Sequence, residues 1–162
     1  MMVEAPPHIT NAVFEVWKRV GNKSRVLVGG WSMHPLIEDG DTALVLHTCK
    51  DVDVGTVIAF KLTKERIVVH RVLRSYLRRS KRVFICRGDN NLHLDPPLSE
   101  EMVIGRVEAV RKKSGKTIAL DGIVQRWLGY TIVGCFELAR KLPRAWTQIK
   151  VAKVFDRIAM IV

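Results

Sequence analysis

A nucleophile requires a hydroxyl or thiol that is accessible and rigidly held, and Gly29-Gly30-Trp31-Ser32-Met33-His34-Pro35-Leu36 could supply one. Ser32 follows a strand-like run, Gly30 lets the backbone approach closely, and Pro35 fixes the direction in which the chain leaves. A serine becomes reactive only with a base in hydrogen-bond reach. Ile67-Val68-Val69-His70-Arg71-Val72 offers His70 among β-branched residues. An imidazole with an unperturbed pKa of about 6.5 suits proton transfer near neutral pH. A carboxylate on its far side would hold the productive tautomer and stabilise the imidazolium. Two aspartates compete for that place: Asp89 in Arg87-Gly88-Asp89-Asn90-Asn91, and Asp95 ahead of Pro96-Pro97. Spacing does not choose between them.

Each piece has a structural explanation that needs no chemistry. Ser32 alone reads as an ordinary turn serine, and a lone histidine on a strand is usually half-buried and satisfied. Asp89 and its asparagines close turns on their own backbone, and Asp95 reads equally well as a solvated loop acid. Each piece is weak alone, and only their combination and order along the chain carry weight.

The elements that would position these residues are mostly strands. Runs rich in β-branched residues recur at Arg25–Val28, Thr42–His47, Val57–Leu62, Ile67–Leu73, Val83–Arg87, Val103–Arg111 and Thr117–Leu120, separated by Gly and Asp turns. They predict a mainly β fold, a coiled antiparallel barrel or half-barrel. Val13, Val16, Trp17 and Val20 predict a helix over 10–20. After Gly122, a stripe of Val124, Trp127, Leu128, Ile132, Cys135, Leu138 and Leu142 predicts an amphipathic helix ending at Pro143, with a second one over 145–162. The chain thus divides into an N-terminal helical segment (1–24), a β catalytic domain (25–121) and a basic amphipathic helical tail (122–162). That tail is expected to pack on the β core, with contact to an anionic membrane as the alternative.

With 162 residues, 48% of them hydrophobic, the chain can bury a core of its own. Its formal charge of +11, from 27 basic and 16 acidic residues, implies an acidic partner such as an anionic membrane, a nucleic acid or an acidic peptide. Arg74, Arg78, Arg79, Lys81 and Arg82 have only Tyr76 nearby as a stacking platform. They read as a hairpin tip with its turn over Ser75–Ser80, and nucleic acid is not the expected partner. Cys49, Cys86 and Cys135 make no CxxC pair, and neither His47 with Cys49 nor Cys86 with His93 has zinc-finger spacing. No metal or cofactor is expected. The first residues lack a basic region followed by an apolar run, and no stretch reaches the roughly 18 apolar residues of a spanning helix. The expected location is cytoplasmic or peripheral to the cytoplasmic membrane face. Nothing in the sequence sets an oligomeric state.

Taken together, Ser32-Met33-His34-Pro35, Gly40-Asp41, Val54-Gly55-Thr56-Val57-Ile58, Val69-His70-Arg71-Val72, Gly88-Asp89-Asn90-Asn91 with Asp95, and Ile104-Gly105-Arg106-Val107 resemble the signal peptidase I superfamily. The closest likeness is to its ER-type branch, which pairs serine with histidine rather than lysine. The resemblance covers roughly residues 25–120. It implies a coiled, mostly antiparallel β fold, with Ser32 as nucleophile, His70 as general base, Asp95 as third member and Asp89 as a supporting acid. Met33, Pro35 and Gly88 support the motif. The resemblance also implies extended peptide substrates cut after small residues. Many members carry a serine two residues before the nucleophile; here Gly30 stands there, so the oxyanion would rely on backbone N–H groups, those of Gly30 and Ser32. The membrane-anchored members have a spanning helix before the serine, which residues 9–21 are too short and too polar to form, and the basic tail has no counterpart in the family core.

The leading expectation is therefore a serine endopeptidase acting on signal, leader or precursor peptides. A self-cleaving switch of the LexA type is a second possibility on the same fold, but such switches use a lysine base and cut Ala-Gly or Cys-Gly, dipeptides that this sequence lacks. A non-catalytic basic module binding nucleic acid or anionic membrane is a third, and it would have no need of Ser32, His70 and Asp95 together.

Overall fold

The computed structural model describes Val16 and residues 20–63 and 66–141. Apart from Val16 and Val20, the helix predicted over 10–20 lies outside the described residues, as does the amphipathic stretch over 145–162.

Eight strands occur among the described residues. They are β1 (Lys23–Leu27), β2 (Thr42–Leu46), β3 (Val57–Lys61), β4 (Ile67–Arg78), β5 (Lys81–Arg87), β6 (Leu98–Ser99), β7 (Val103–Arg111) and β8 (Thr117–Ala119). A short 3-10 turn, Glu100–Met102, precedes β7, and one long helix, α1 (Ile123–Lys141), follows β8. The strands form one antiparallel sheet in the order β1-β2-β7-β3-β4-β5-β6. β7 carries β2 along one edge, and β3 followed by β8 along the other. Register shifts between Leu44 and Val45, Ala59 and Phe60, and Val72 and Arg74 mark bulges. A bulge bends its strand and increases local twist, and three of them curl this sheet into a half-barrel. The mainly β, coiled antiparallel fold expected from the sequence is the one found.

Alternation along β3 explains how the curled sheet is filled. Val57 and Ala59 join Met33, Ile37, Val45, Val69 and Val107 in one apolar cluster. Ile58 and Phe60 join Val72, Phe84, Cys86 and Leu98 in the other. β3 is thus buried on both faces, which is why it reads as an unbroken apolar run.

Three elements differ from the sequence expectation. The basic run was expected to turn over Ser75–Ser80. Instead β4 continues to Arg78, and the turn is only Arg79-Ser80, at φ 50° and 61°. Both central residues of a two-residue hairpin turn of this kind take positive φ. Tyr76↔Val83, Leu77↔Arg82 and Arg78↔Lys81 continue the ladder into solvent, where outward charge does not interrupt backbone pairing. The two-residue β6 was not expected; it forms because Leu98, fully buried, is drawn against Phe84 after the double proline. Finally, α1 buries Ile132 of the expected stripe together with Val133 and Phe136 on Leu73 and Val54, and leaves Trp127 and Leu138 of that stripe outside. Trp127 is 69% and Leu138 63% exposed. The rotation is set where buried Gly129 meets Gly55 backbone to backbone, which places residues one and two turns later on the same side.

Candidate active site

β4 places His70 opposite Ile58 of the central strand, with its ring edge-on to buried Phe60 at 6.1 Å between centroids. Its Nδ1 lies 2.7 Å from Asp95 Oδ2 and its Nε2 lies 3.0 Å from Ser32 Oγ. A carboxylate can only accept, so Nδ1 carries the ring proton and Nε2 is left to accept from the serine hydroxyl. The side chains of His70 and Asp95 are 7% and 13% exposed, which limits competition from water for this chain of hydrogen bonds. Asp95 is itself fixed by its backbone N–H donating to Cys86 O at 2.9 Å.

Ser32 owes its position to its neighbours. Met33 and Ile37 are buried in the core, so the loop is anchored immediately after the half-buried Ser32 and again one turn later. Val28 N–H donates to Asp41 O and Gly40 N–H to Val28 O, at 2.9 and 2.8 Å, closing the base of the loop. From the other side, Asn90 donates its N–H to Ser32 O at 2.8 Å and its side-chain amide to Trp31 O at 3.1 Å. Gly88 makes this approach possible, since a Cβ there would lie 2.5 Å from Ser32 O.

The two aspartates left open by spacing go to different partners. Asp95 meets His70, whereas Asp89 takes both Nε and Nη2 of Arg71 at 2.9 and 2.7 Å. That pair is buried, with side chains 4% and 1% exposed, and Arg71 Nη1 also donates to Gly55 O at 2.8 Å. Asp89 thus holds the Gly88–Asn91 turn rather than the imidazole. The expectation that Gly30 would offer its N–H to an oxyanion is corrected: that N–H donates to Asp39 Oδ1 at 2.9 Å. The Ser32 N–H has no hydrogen-bond partner among the described residues. On one edge of β4, pairing with β5 begins only at Arg71, so Ile67–His70 run past it. Trp31, Leu92 and Leu94 stand exposed on the loops that carry Ser32 and Asp95. A separate cavity of about 190 Å³, lined by Leu36, Gly55, Thr56, Arg71, Arg106 and Tyr130, includes none of Ser32, His70 and Asp95. No group of metal-ligating side chains occurs among the described residues.

Residues 12–107 match the family model described as Peptidase S24-like. The chain belongs to that family. It is 39% identical over 67 residues to the signal peptidase complex catalytic subunit SEC11 of Yarrowia lipolytica, covering 41% of this chain and 39% of that protein. To the same subunit of Scheffersomyces stipitis it is 28% identical over 90 residues, covering 52% and 54%. To that of Komagataella phaffii it is 30% identical over 127 residues, covering 66% of this chain and 74% of that protein. The chain therefore spans between about two fifths and three quarters of the length of these relatives. The family resemblance seen in the residues is borne out, and α1 lies beyond the matched span.

Sequence reasoning named the Gly40-Asp41 box without a physical account of it, quoted Arg71 in its motif without a role, and did not find Lys112. Asp41 is almost fully buried, and its carboxylate accepts from Glu38 N–H at 2.8 Å and Lys113 N–H at 3.1 Å, with Lys112 Nζ at 2.7 Å. Burial alone would raise its pKa, but Lys112 and the two backbone N–H groups outweigh burial and hold it below the ordinary value. A carboxyl depressed on folding stabilises the fold above its unfolded pKa, and that contribution is lost as pH falls through the folded value. We expect Asp41→Asn to cost about 1–3 kcal/mol at neutral pH. In urea denaturation across the acid range, the gap to wild type should begin to narrow as pH falls through the ordinary aspartate range near about 4 and close only below the depressed folded value, where the Asp41 side chain is neutral in both states. A gap that persists at low pH would mean that the charge of Asp41 does not clasp this loop.

Proposed function

We propose that this chain is a serine endopeptidase of the signal-peptidase type, cleaving signal, leader or precursor peptides. Ser32 is the nucleophile in this reading, His70 the general base and Asp95 the group that orients the ring. The observation that carries it is the continuous chain from Ser32 Oγ through both ring nitrogens of His70 to Asp95. The names of the related proteins, catalytic subunits of signal peptidase complexes, support the substrate class.

In the proposed reaction, Ser32 Oγ attacks the scissile carbonyl carbon as its proton passes to His70 Nε2. The resulting imidazolium keeps its Nδ1–H on the Asp95 carboxylate. The oxyanion accepts from the Ser32 N–H, which has no partner among the described residues, while Gly30 stays engaged with Asp39. Collapse of the tetrahedral intermediate breaks the C–N bond, and His70 returns the proton to the leaving amine. Water, deprotonated by the same nitrogen, then releases the acyl group and regenerates the serine. An extended substrate adding to the uncovered Ile67–His70 edge would bring its carbonyl beside Ser32, with backbone hydrogen bonds supplying much of the affinity.

The proposal includes a peripheral contact with anionic membrane at the cytoplasmic face. The net charge of +11 and the exposed Trp127, Tyr130 and Leu138 of α1 support it. Among the described residues no helix is long and apolar enough to cross a membrane.

Two experiments test these statements. Intact-mass analysis after exposure to an active-site serine acylator should show one adduct on wild type and none on Ser32→Ala or His70→Ala. Asp95→Asn should slow labelling by about 10³–10⁴-fold, through loss of the tautomer. An adduct that survives Ser32→Ala, or a rate indifferent to His70, would sink the peptidase reading. For the membrane contact, the protein should sediment with vesicles of anionic lipid in low salt, and less after Trp127→Ala. Equal recovery with neutral and anionic vesicles would remove that part.

A further inference from the structure

The helix α1 lies outside the span matched by the family, yet it reaches the candidate site through its backbone. A Cβ on Gly129 would lie 2.7 Å from Gly55 O and 3.1 Å from Gly55 Cα. A Cβ on Gly55, whose φ is +88°, would lie 3.1 Å from Gly129 C and 3.2 Å from Tyr130 N. The two backbones therefore touch, and neither position has room for a side chain.

What Gly129 presses on is not an idle loop. Gly55 O is the acceptor of Arg71 Nη1 at 2.8 Å, and Gly55 N–H donates to Val72 O at 2.8 Å, on the strand that carries His70. Arg71 spends its remaining engaged donors on Asp89, and the turn holding Asp89 holds Ser32 O through Asn90. Further along, α1 is seated by the Arg87 guanidinium 3.5 Å above the Phe136 ring, and by Arg74 Nη2 2.7 Å from Glu137 Oε1. Arg87 is the cross-strand partner of Arg71. The helix is thus fastened to the same strand pair that presents the imidazole and the Arg71–Asp89 pair.

We infer that Gly129 of α1 is a positioning residue for the candidate active site, seating the Gly55 carbonyl on Arg71 and, through Arg71 and Asp89, setting the loop that carries Ser32. This rests on the peptidase reading of that site. The path makes no contact with the side chains of His70 and Asp95, so disturbing it misplaces the nucleophile while leaving the hydrogen bond between them intact. Displacements well under 1 Å at a reacting group are enough to lower rates by tenfold or more.

The test compares Gly129→Ala with Gly134→Ala on the same helix, where an added Cβ meets nothing within 4 Å. Acylation rates with the serine acylator are measured across pH, together with thermal unfolding and the Arg71 Nε–H signal in ¹⁵N-arginine NMR. Gly129→Ala should lower the high-pH plateau roughly tenfold, leave the pH midpoint in place, and shift the Arg71 signal. Gly134→Ala should match wild type in all three. Should Gly129→Ala fail to fold, Val133→Ala, which loosens the helix on Leu73 without a clash, should show the same pattern to a smaller degree. A wild-type plateau and an unmoved Arg71 signal in a folded variant would overturn the inference while leaving the peptidase reading intact. Absence of labelling in wild type would remove the reading, and this inference with it.

Discussion

Arg71 and Asp89 are taken out of water together, and much of the site depends on their staying together. An isolated charge at either position would pay a desolvation penalty of several kcal/mol, so each is tolerable only while the other is bound. Their bidentate geometry fixes orientation as well as distance. One partner is on β4 directly after His70, and the other is in the turn that holds the Ser32 and Trp31 carbonyls. The pair therefore joins the strand that presents the base to the loop that presents the hydroxyl. Neither His70 nor Ser32 need be adjacent in sequence for their spacing to be reproducible.

The rest of the fold supplies a frame stiff enough to carry that link. β3, buried on both faces, sets the register of β4 through five consecutive cross-strand pairs from Val57↔Arg71 to Lys61↔Ile67. Bulges on either side curl the sheet so that the Ser32 loop and the Asp95 segment converge on one histidine. Below Ser32, Asp41 gathers two N–H groups and the Lys112 ammonium, and Met33 and Ile37 are held by the core. The loop is thus gripped at its base by charge, in its middle by apolar burial, and from above by Asn90.

Much of this was legible in the sequence, because period-two alternation and β-branched runs report local burial directly. Val57–Leu62 and Val103–Arg111 are examples, each found within a residue of its expected bounds. Ser32 and His70 could be named from their motifs and the family resemblance favoured Asp95, but spacing itself could not choose between Asp89 and Asp95. Both are turn aspartates with the same local grammar, and only the fold reveals that one meets a buried guanidinium and the other an imidazole. Arg71 was quoted within its motif but given no role, because an arginine on a strand ordinarily points to solvent. The basic hairpin was cut short because charge was taken as a sign of a turn, although two exposed strands can pair regardless of it. The burial face of α1 was read only in part, with Ile132 buried as expected but Val133 and Phe136 beside it in place of Trp127 and Leu138, because the position that decides the rotation, Gly129, carries no side chain and so no hydropathy signal.

The central claim concerns where one proton sits. If Asp95 holds the ring of His70 by Nδ1–H, then Nε2 of the neutral ring is the unprotonated nitrogen facing Ser32. ¹⁵N NMR of histidine-labelled protein distinguishes the two nitrogens directly. The account predicts a protonated Nδ1 with a strongly downfield proton, lost in Asp95→Asn and kept in Ser32→Ala, and an unprotonated Nε2. A neutral ring protonated on Nε2 would contradict it, since that ring could not take the proton of the serine hydroxyl.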